Sequence, residues 1–265
     1  MYRVLIVLFI LSGLVNTKAQ NSLSELEVRY SMKYIPDSLN RDKVHNVDNL
    51  VLLLNGNEST YYSEDAKRYY EYLYKGISSM NNGNITFSSL PALPKVKGSV
   101  YKKNEDLLVT VPIGLYLYEF EEPKLNWQLL NDSKEINGIP CRLATVTTDT
   151  GDTFYAWYSM NYPFSEGPFR FKGLPGLVIK VWNISNTIEF NTRSIKKLSI
   201  PIEKFNANNT IKLKNKEQFL KARSDYNADP NSQSQNISNI IIKDSSGEII
   251  KPTKKEKITA NIFLD

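Results

Sequence analysis

The chain has 265 residues and a formal charge of +5, with 41% hydrophobic and 11% aromatic residues. Its basic residues are scattered apart from Lys251, Lys254, Lys255 and Lys257, so it lacks the single concentrated basic face of a nucleic-acid binder. Cys141 and His45 are its only cysteine and histidine, which excludes an intrachain disulfide and a Cys/His zinc site; no metal or cofactor is expected.

The first residues read as a secretory leader. Arg3 is followed by an unbroken apolar run from Val4 to Leu11, and Thr17 and Ala19 put small residues where a signal peptidase inspects the chain. The run is short of the ~20 residues that cross a bilayer. The cut is predicted between Ala19 and Gln20, and it removes two positive charges, Arg3 and Lys18. No cysteine lies near it to carry a lipid. Residues 20–265 are expected to form one exported domain, in the periplasm, at the outer-membrane periphery or secreted. No later apolar run approaches spanning length.

Strand signals then dominate. Val28, Tyr30, Met32 and Tyr34 alternate with Arg29, Ser31 and Lys33, the period of two of a strand with one wet face. The stretch NLVLLLNGNESTYYS reads as a hairpin turning at Asn55-Gly56. Ser63 is placed to cap a helix with Glu64 and Asp65 in its first turn and a stop at Lys75-Gly76. LLVTVP and GLYLYEFE follow, parted by Pro112, Ile113 and Gly114. CRLATVTT and TFYAWYSM are joined by the turn Asp149-Thr150-Gly151-Asp152. LVIKVWNI and TIEFNTRSI form a further pair, with Ile188, Phe190 and Thr192 on one face. A second helix is predicted from Asn215, with Gln218 three residues on. Residues 227–238 are polar and read as a mobile loop.

Catalytic signals are sparse. Asp149-Thr150-Gly151 spells the aspartic-protease tripeptide, but that chemistry needs two facing carboxylates and the chain holds one copy. His45 lies in the polar stretch NRDKVHNVDN and reads as a solvated loop residue. Asp149 and His45 are therefore expected to be dispensable. Cys141, beside Leu143 on an alternating strand, reads as a small buried hydrophobe.

The densest stretch is GPFRFKGLPGLVIKV, residues 167–181. Pro175 suits the second position of a turn and Gly176 the third, so a type II turn with positive φ at Gly176 is expected. Gly167, Pro168 and Gly173 add further restricted points ahead of a strand. Trp157, Tyr158, Tyr162, Phe164, Phe169 and Phe171 crowd close by, where a corner alone needs one or two hydrophobic anchors. Trp157, Tyr158, Phe169, Leu174 and Leu177 are the candidates for contacting a ligand or partner.

The tract from Trp127 to Val181 closely resembles the GLPGLI family of exported Bacteroidota proteins. It carries EINGIPC with Cys141, AWYS with Trp157 and Tyr158, Gly167-Pro168, and GLPGL, in that order. Val178 stands where isoleucine is usual, and NYPF where an Ile-Pro pair is common. The resemblance implies export and a β-rich fold, and no settled activity. The expected architecture is a mainly β, curved antiparallel sheet, as an open barrel or wrapped sandwich, with one or two packed helices. The leading functional expectation is a non-enzymatic envelope module that binds a hydrophobic ligand or another envelope protein. The others are a structural partner of an outer-membrane complex docking through the GLPGL loop, and a hydrolase using carboxylates such as Asp149 and Asp152.

Overall fold

A computed structural model describes residues 22–35, 41–78, 85–87, 91–114, 116–205, 210–229, 240–242 and 248. The leader, with Ala19 and Gln20, and residues 230–238 of the polar loop lie outside the described residues. The first half carries β1 (Leu26–Tyr34), β2 (His45–Leu54), β3 (Glu58–Ser63), α1 (Glu64–Ser78), β4 (Ile85–Phe87), β5 (Ser99–Lys103), β6 (Asp106–Ile113) and β7 (Tyr116–Glu121). The second carries β8 (Gln128–Ile136), β9 (Ile139–Thr147), β10 (Thr153–Ser159), β11 (Leu177–Asn183), β12 (Ile188–Lys197), β13 (Thr210–Lys212), α2 (Lys216–Ala228) and β14 (Ile240–Ile242).

Twelve strands form one open sheet in the order β13-β7-β6-β5-β3-β2-β1-β12-β11-β10-β9-β8, while β14 and β4 pair separately. Two antiparallel meanders, one from β2 to β7 and one from β8 to β12, meet at β1. That strand pairs with β2 through Leu26↔Leu54 and with β12 through Leu26↔Lys197. The earliest strand can pair with β2 at once, but its second edge is filled only once the chain to residue 197 is available. Among the described residues of the main sheet, only β13 runs parallel to its neighbour. The expectation of a β-rich, largely antiparallel fold with few helices holds; the sheet stays open, with β13 and β8 at its edges.

One hydrophobic cluster takes residues from both meanders, including Val109 and Phe120 from one and Val146 and Phe154 from the other. Two distant parts of a single sheet share a core only if the sheet wraps around what lies between them. Register shifts at Arg29/Tyr30 and Trp157/Tyr158 add local bend and twist. What lies between them is the connection of residues 160–176.

The local predictions fare well where capping and turn chemistry set the outcome. Asn55 Oδ1 accepts from the amides of Asn57 and Glu58 at 2.9 and 2.8 Å, closing the β2–β3 hairpin. The Gln218 amide donates to Asn215 Oδ1 at 3.1 Å, and Gln218 Oε1 accepts from the Lys214 amide at 3.0 Å. Three expectations are corrected. Helix α1 runs through Lys75-Gly76 to Ser78. Pro112 and Ile113 lie inside β6, paired with Leu117 and Tyr116, and Gly114 makes the turn at φ 61°. His45 is no solvated loop residue: it opens β2 and stacks on Tyr34 at 5.1 Å.

Candidate functional site

The GLPGL motif closes the 160–176 connection between β10 and β11, and this connection folds back on itself. The Gly173 amide donates to Ser165 O at 3.1 Å, Leu177 to Tyr162 O at 3.0 Å and Val178 to Glu166 O at 2.9 Å. The expected type II turn at Pro175-Gly176 is not formed. The glycine with positive φ in the motif is Gly173, at 95°, and Phe169 also takes a left-handed φ of 48°. Gly176 is required for a different reason, close approach. A Cβ there would meet Ser159 O at 2.3 Å, and one on Gly167 would meet Phe171 O at 2.2 Å. Both glycines let two backbone segments touch.

The crowded aromatic residues face inward. Phe171 is 0% exposed and packs against Phe154 at 4.8 Å, Phe190 at 5.9 Å and Trp127 at 6.4 Å. Phe169 meets Tyr61 of β3 edge-on at 6.4 Å. Trp157, Tyr158, Phe169, Leu174 and Leu177 are all buried, so they form core and no open rim. Pro168 is buried with them, whereas Gly173 and Pro175 remain at the surface.

Two charged clusters pin the connection to both halves of the sheet. In the first, Glu166 accepts from Lys172, from Lys102 of β5 at 2.9 Å and from Ser59 of β3 at 2.8 Å. Lys172 also donates to Ser59 Oγ at 3.2 Å and Gly167 O at 3.3 Å. Burial pushes the Glu166 carboxyl up, but Lys172 and Lys102 together hold it below the ordinary range. Burial lowers the Lys172 ammonium despite Glu166 beside it.

In the second cluster Arg170 lies 2.6 Å from both Glu122 and Asp149, and Lys216 lies 3.0 and 2.8 Å from the same two carboxylates. Two acids and two bases form a neutral square whose Arg170 and Glu122 side chains are 1% and 2% exposed. Burial raises the Glu122 carboxyl against the pull of both cations. Burial also pushes on Asp149, but hydrogen bonds from Lys216 and Arg170 win and hold it low. Asp149 thus lies in the β9–β10 turn, as expected, and is also a partner in this square. Asp152, its neighbour, accepts instead from Asn183 at 3.0 Å.

The charged residues Glu166, Arg170 and Lys172 went unread in the sequence because charge next to glycine and proline looks solvated. The signal present was their alternation with Phe169 and Phe171, a pattern that suits a segment buried on both sides. Cys141 is 3% exposed, and burial pushes its thiol up to about 11. It should resist thiol reagents at about pH 7.5 in the folded protein and react promptly in denaturant; fast labelling of the native protein would contradict this burial. On the opposite side of the sheet, a cleft of about 240 Å³ lies between α1 and residues 203–205, lined by Tyr62, Lys67, Glu71 and Lys204 among others. Among the described residues there is no cluster of acidic, histidine or cysteine side chains that would hold a metal, and no helix long and apolar enough to cross a membrane.

An open, wrapped sheet braced from inside by its signature loop is the class of protein this geometry defines. Residues 148–180 match the family described as "Protein of unknown function (Porph_ging)", from the β9–β10 turn through the GLPGL motif into β11. That match supports the GLPGLI resemblance. No curated protein matches the chain. Two crystal forms of PNGF-II align at a TM-score of 0.48 and 13% identity, over 74% and 76% of this chain and 32% of that one. This chain therefore spans about a third of PNGF-II. An uncharacterized conserved protein from Thermus thermophilus aligns at a TM-score of 0.35 and 4% identity, over 72% of this chain and 91% of that one. Scores below 0.5 say nothing about this chain's chemistry.

Proposed function

We propose that this chain is an exported, non-enzymatic binding module that engages another envelope protein, with the GLPGL loop as its internal brace. The observation that carries this reading is the inward commitment of the loop. Phe171, Leu174 and Leu177 are 0% exposed, Glu166 and Lys172 tie the loop to β3 and β5, and Arg170 ties it to Glu122 just after β7 and to Asp149 in the β9–β10 turn. A loop used up in this way leaves partner contacts to the outer surfaces and sheet edges. The carboxylates that a hydrolase would use also have other work. Glu166, Glu122 and Asp149 each neutralise lysine or arginine, which disfavours the shared proton of an acid–base pair. Export rests on the leader pattern of residues 1–19.

The test is native purification from the protein's own envelope after mild cross-linking, read by mass spectrometry. One protein at a fixed ratio to this chain is expected. A stoichiometric lipid in place of a protein would replace this reading with the hydrophobic-ligand one. A hydrolytic activity abolished by Asp152→Asn in protein that keeps its Tm would overturn the non-enzymatic reading.

A further inference from the structure

The edge of the sheet at β7 is covered by the chain's own residues 210–229, and the cover is lightly held. Strand β13 pairs with β7 over three residues, Thr210↔Leu117, Ile211↔Tyr118 and Lys212↔Glu119, and the Leu213 amide adds a bond to Glu119 O at 2.8 Å. The pairing is parallel, the less stable kind per residue, and Ile211 remains 37% exposed. Helix α2 has 13 residues and buries two side chains, Lys216 and Phe219. Phe219 stacks on Phe120 of β7 at 4.6 Å, and Lys216 completes the charged square. Leu213, Leu220, Ala222 and Tyr226 pack against the core only in part, and a segment held by one fully buried ring and a short parallel pairing opens at a free energy below that of the whole domain.

Opening it creates a surface with definite chemistry. The backbone of β7 loses its strand partner on that side and becomes a template for another strand. The Phe120 ring loses its stacking partner. Glu122 and Asp149 are left with Arg170 alone, two negative charges against one positive, around a carboxylate that is 2% exposed. The vacated socket is acidic and calls for a cation.

We propose that the β7 edge is a strand-addition site for a partner peptide, with residues 210–229 as its intramolecular placeholder. The placeholder specifies the ligand: a short extended strand, a lysine four residues after the strand's last residue, and an aromatic ring three residues beyond that, as in Lys212, Lys216 and Phe219. This rests on the reading of the chain as a protein-binding module and names the kind of segment it takes.

The probe is a fluorescent peptide with the sequence of residues 210–221, TIKLKNKEQFLK, titrated into the full chain. The Phe219→Ala chain, whose placeholder is loosened, is expected to bind it at least about tenfold more tightly than the parent. Replacing the peptide's lysine equivalent to Lys216 by methionine, or its phenylalanine by alanine, should each weaken binding by at least about tenfold. No binding by a folded Phe219→Ala chain, or equal binding of all three peptides, overturns the site. Hydrogen exchange on the parent keeps the question open to refutation if that variant misfolds. The α2 amides should exchange far faster than those of β1 and β12, and equal protection would show the segment is no placeholder. The two readings fail separately: a chain that binds the peptide but co-purifies with no envelope protein refutes the proposed function alone. A captured partner that the peptide does not displace refutes the β7 site alone.

Discussion

Gly176→Ala is expected to cost about 3 kcal/mol, the upper end of what forced overpacking does in a well-packed interior. The added Cβ would stand 2.3 Å from Ser159 O and 2.7 Å from Ser159 C, where carbon contacts are comfortable at ~3.5–4.0 Å. Ser159 has little room to retreat. It pairs with Leu177 across β10 and β11, its hydroxyl donates to Pro140 O at 2.8 Å, and it is 0% exposed. Valine and asparagine at position 176 carry the same Cβ and should be at least as damaging. Gly173 is the contrasting case. Its φ of 95° is strained for any side chain, yet the nearest atom to an added Cβ, Trp127 Cδ1, is 4.0 Å away. Gly173→Ala should cost ~1–2 kcal/mol, and Gly173→Asn less, because asparagine tolerates left-handed backbone. Urea unfolding followed by tryptophan fluorescence ranks these variants. If Gly176→Ala proves as mild as Gly173→Ala, the close approach of the two backbones is wrong.

Glu166→Leu is the second large effect, at ~3–5 kcal/mol, because it strands a buried charge. Lys172, 5% exposed, would lose its only anionic partner in this cluster, while Lys102 can lift its partly exposed head toward water. The double variant Glu166→Leu with Lys172→Met should recover most of that loss, since an apolar pair of similar size carries no desolvation penalty. If the double variant is less stable than Glu166→Leu alone, the cluster contributes through something other than charge. The same carboxylate makes stability fall in acid. Its folded pKa is lowered, so its contribution is complete above the unfolded glutamate value near about 4.3 and is lost as pH drops through the lower folded value. Asp149, also lowered, adds a loss that begins near about 3.9. Glu122 works the other way: its raised folded pKa means that protonation there favours the folded state. The Tm of the parent should therefore decline below about pH 4.5, and that of the double variant should decline less.

Much of the fold was legible in the residues themselves, wherever structure depends on neighbours a few positions apart. The alternation of Val28, Tyr30, Met32 and Tyr34, the Asn55-Gly56 hairpin, the caps at Ser63 and Asn215 and the turn at Asp149–Asp152 are all of this kind. Each sets a hydrogen bond or a buried face within one turn or one strand. The signature loop was legible as a rigid element but not as to why it is rigid. Proline and glycine together suggested a turn with positive φ at Gly176, but what Gly176 supplies is the absence of a Cβ beside Ser159, on the far side of the whole connection. Only the tertiary structure decided which way the loop faces. Glu166 meets Ser59 across 107 positions, and Lys216 meets Glu122 across 94. A charged side chain read in sequence looks solvated because its desolvation cost is large, and that cost is met only by a partner the local chain does not name. The wrapped sheet brings those partners to residues 166–172, and so a stretch that looks like a surface loop is buried in the core, with only Gly173 and Pro175 of the adjoining GLPGL motif left at the surface.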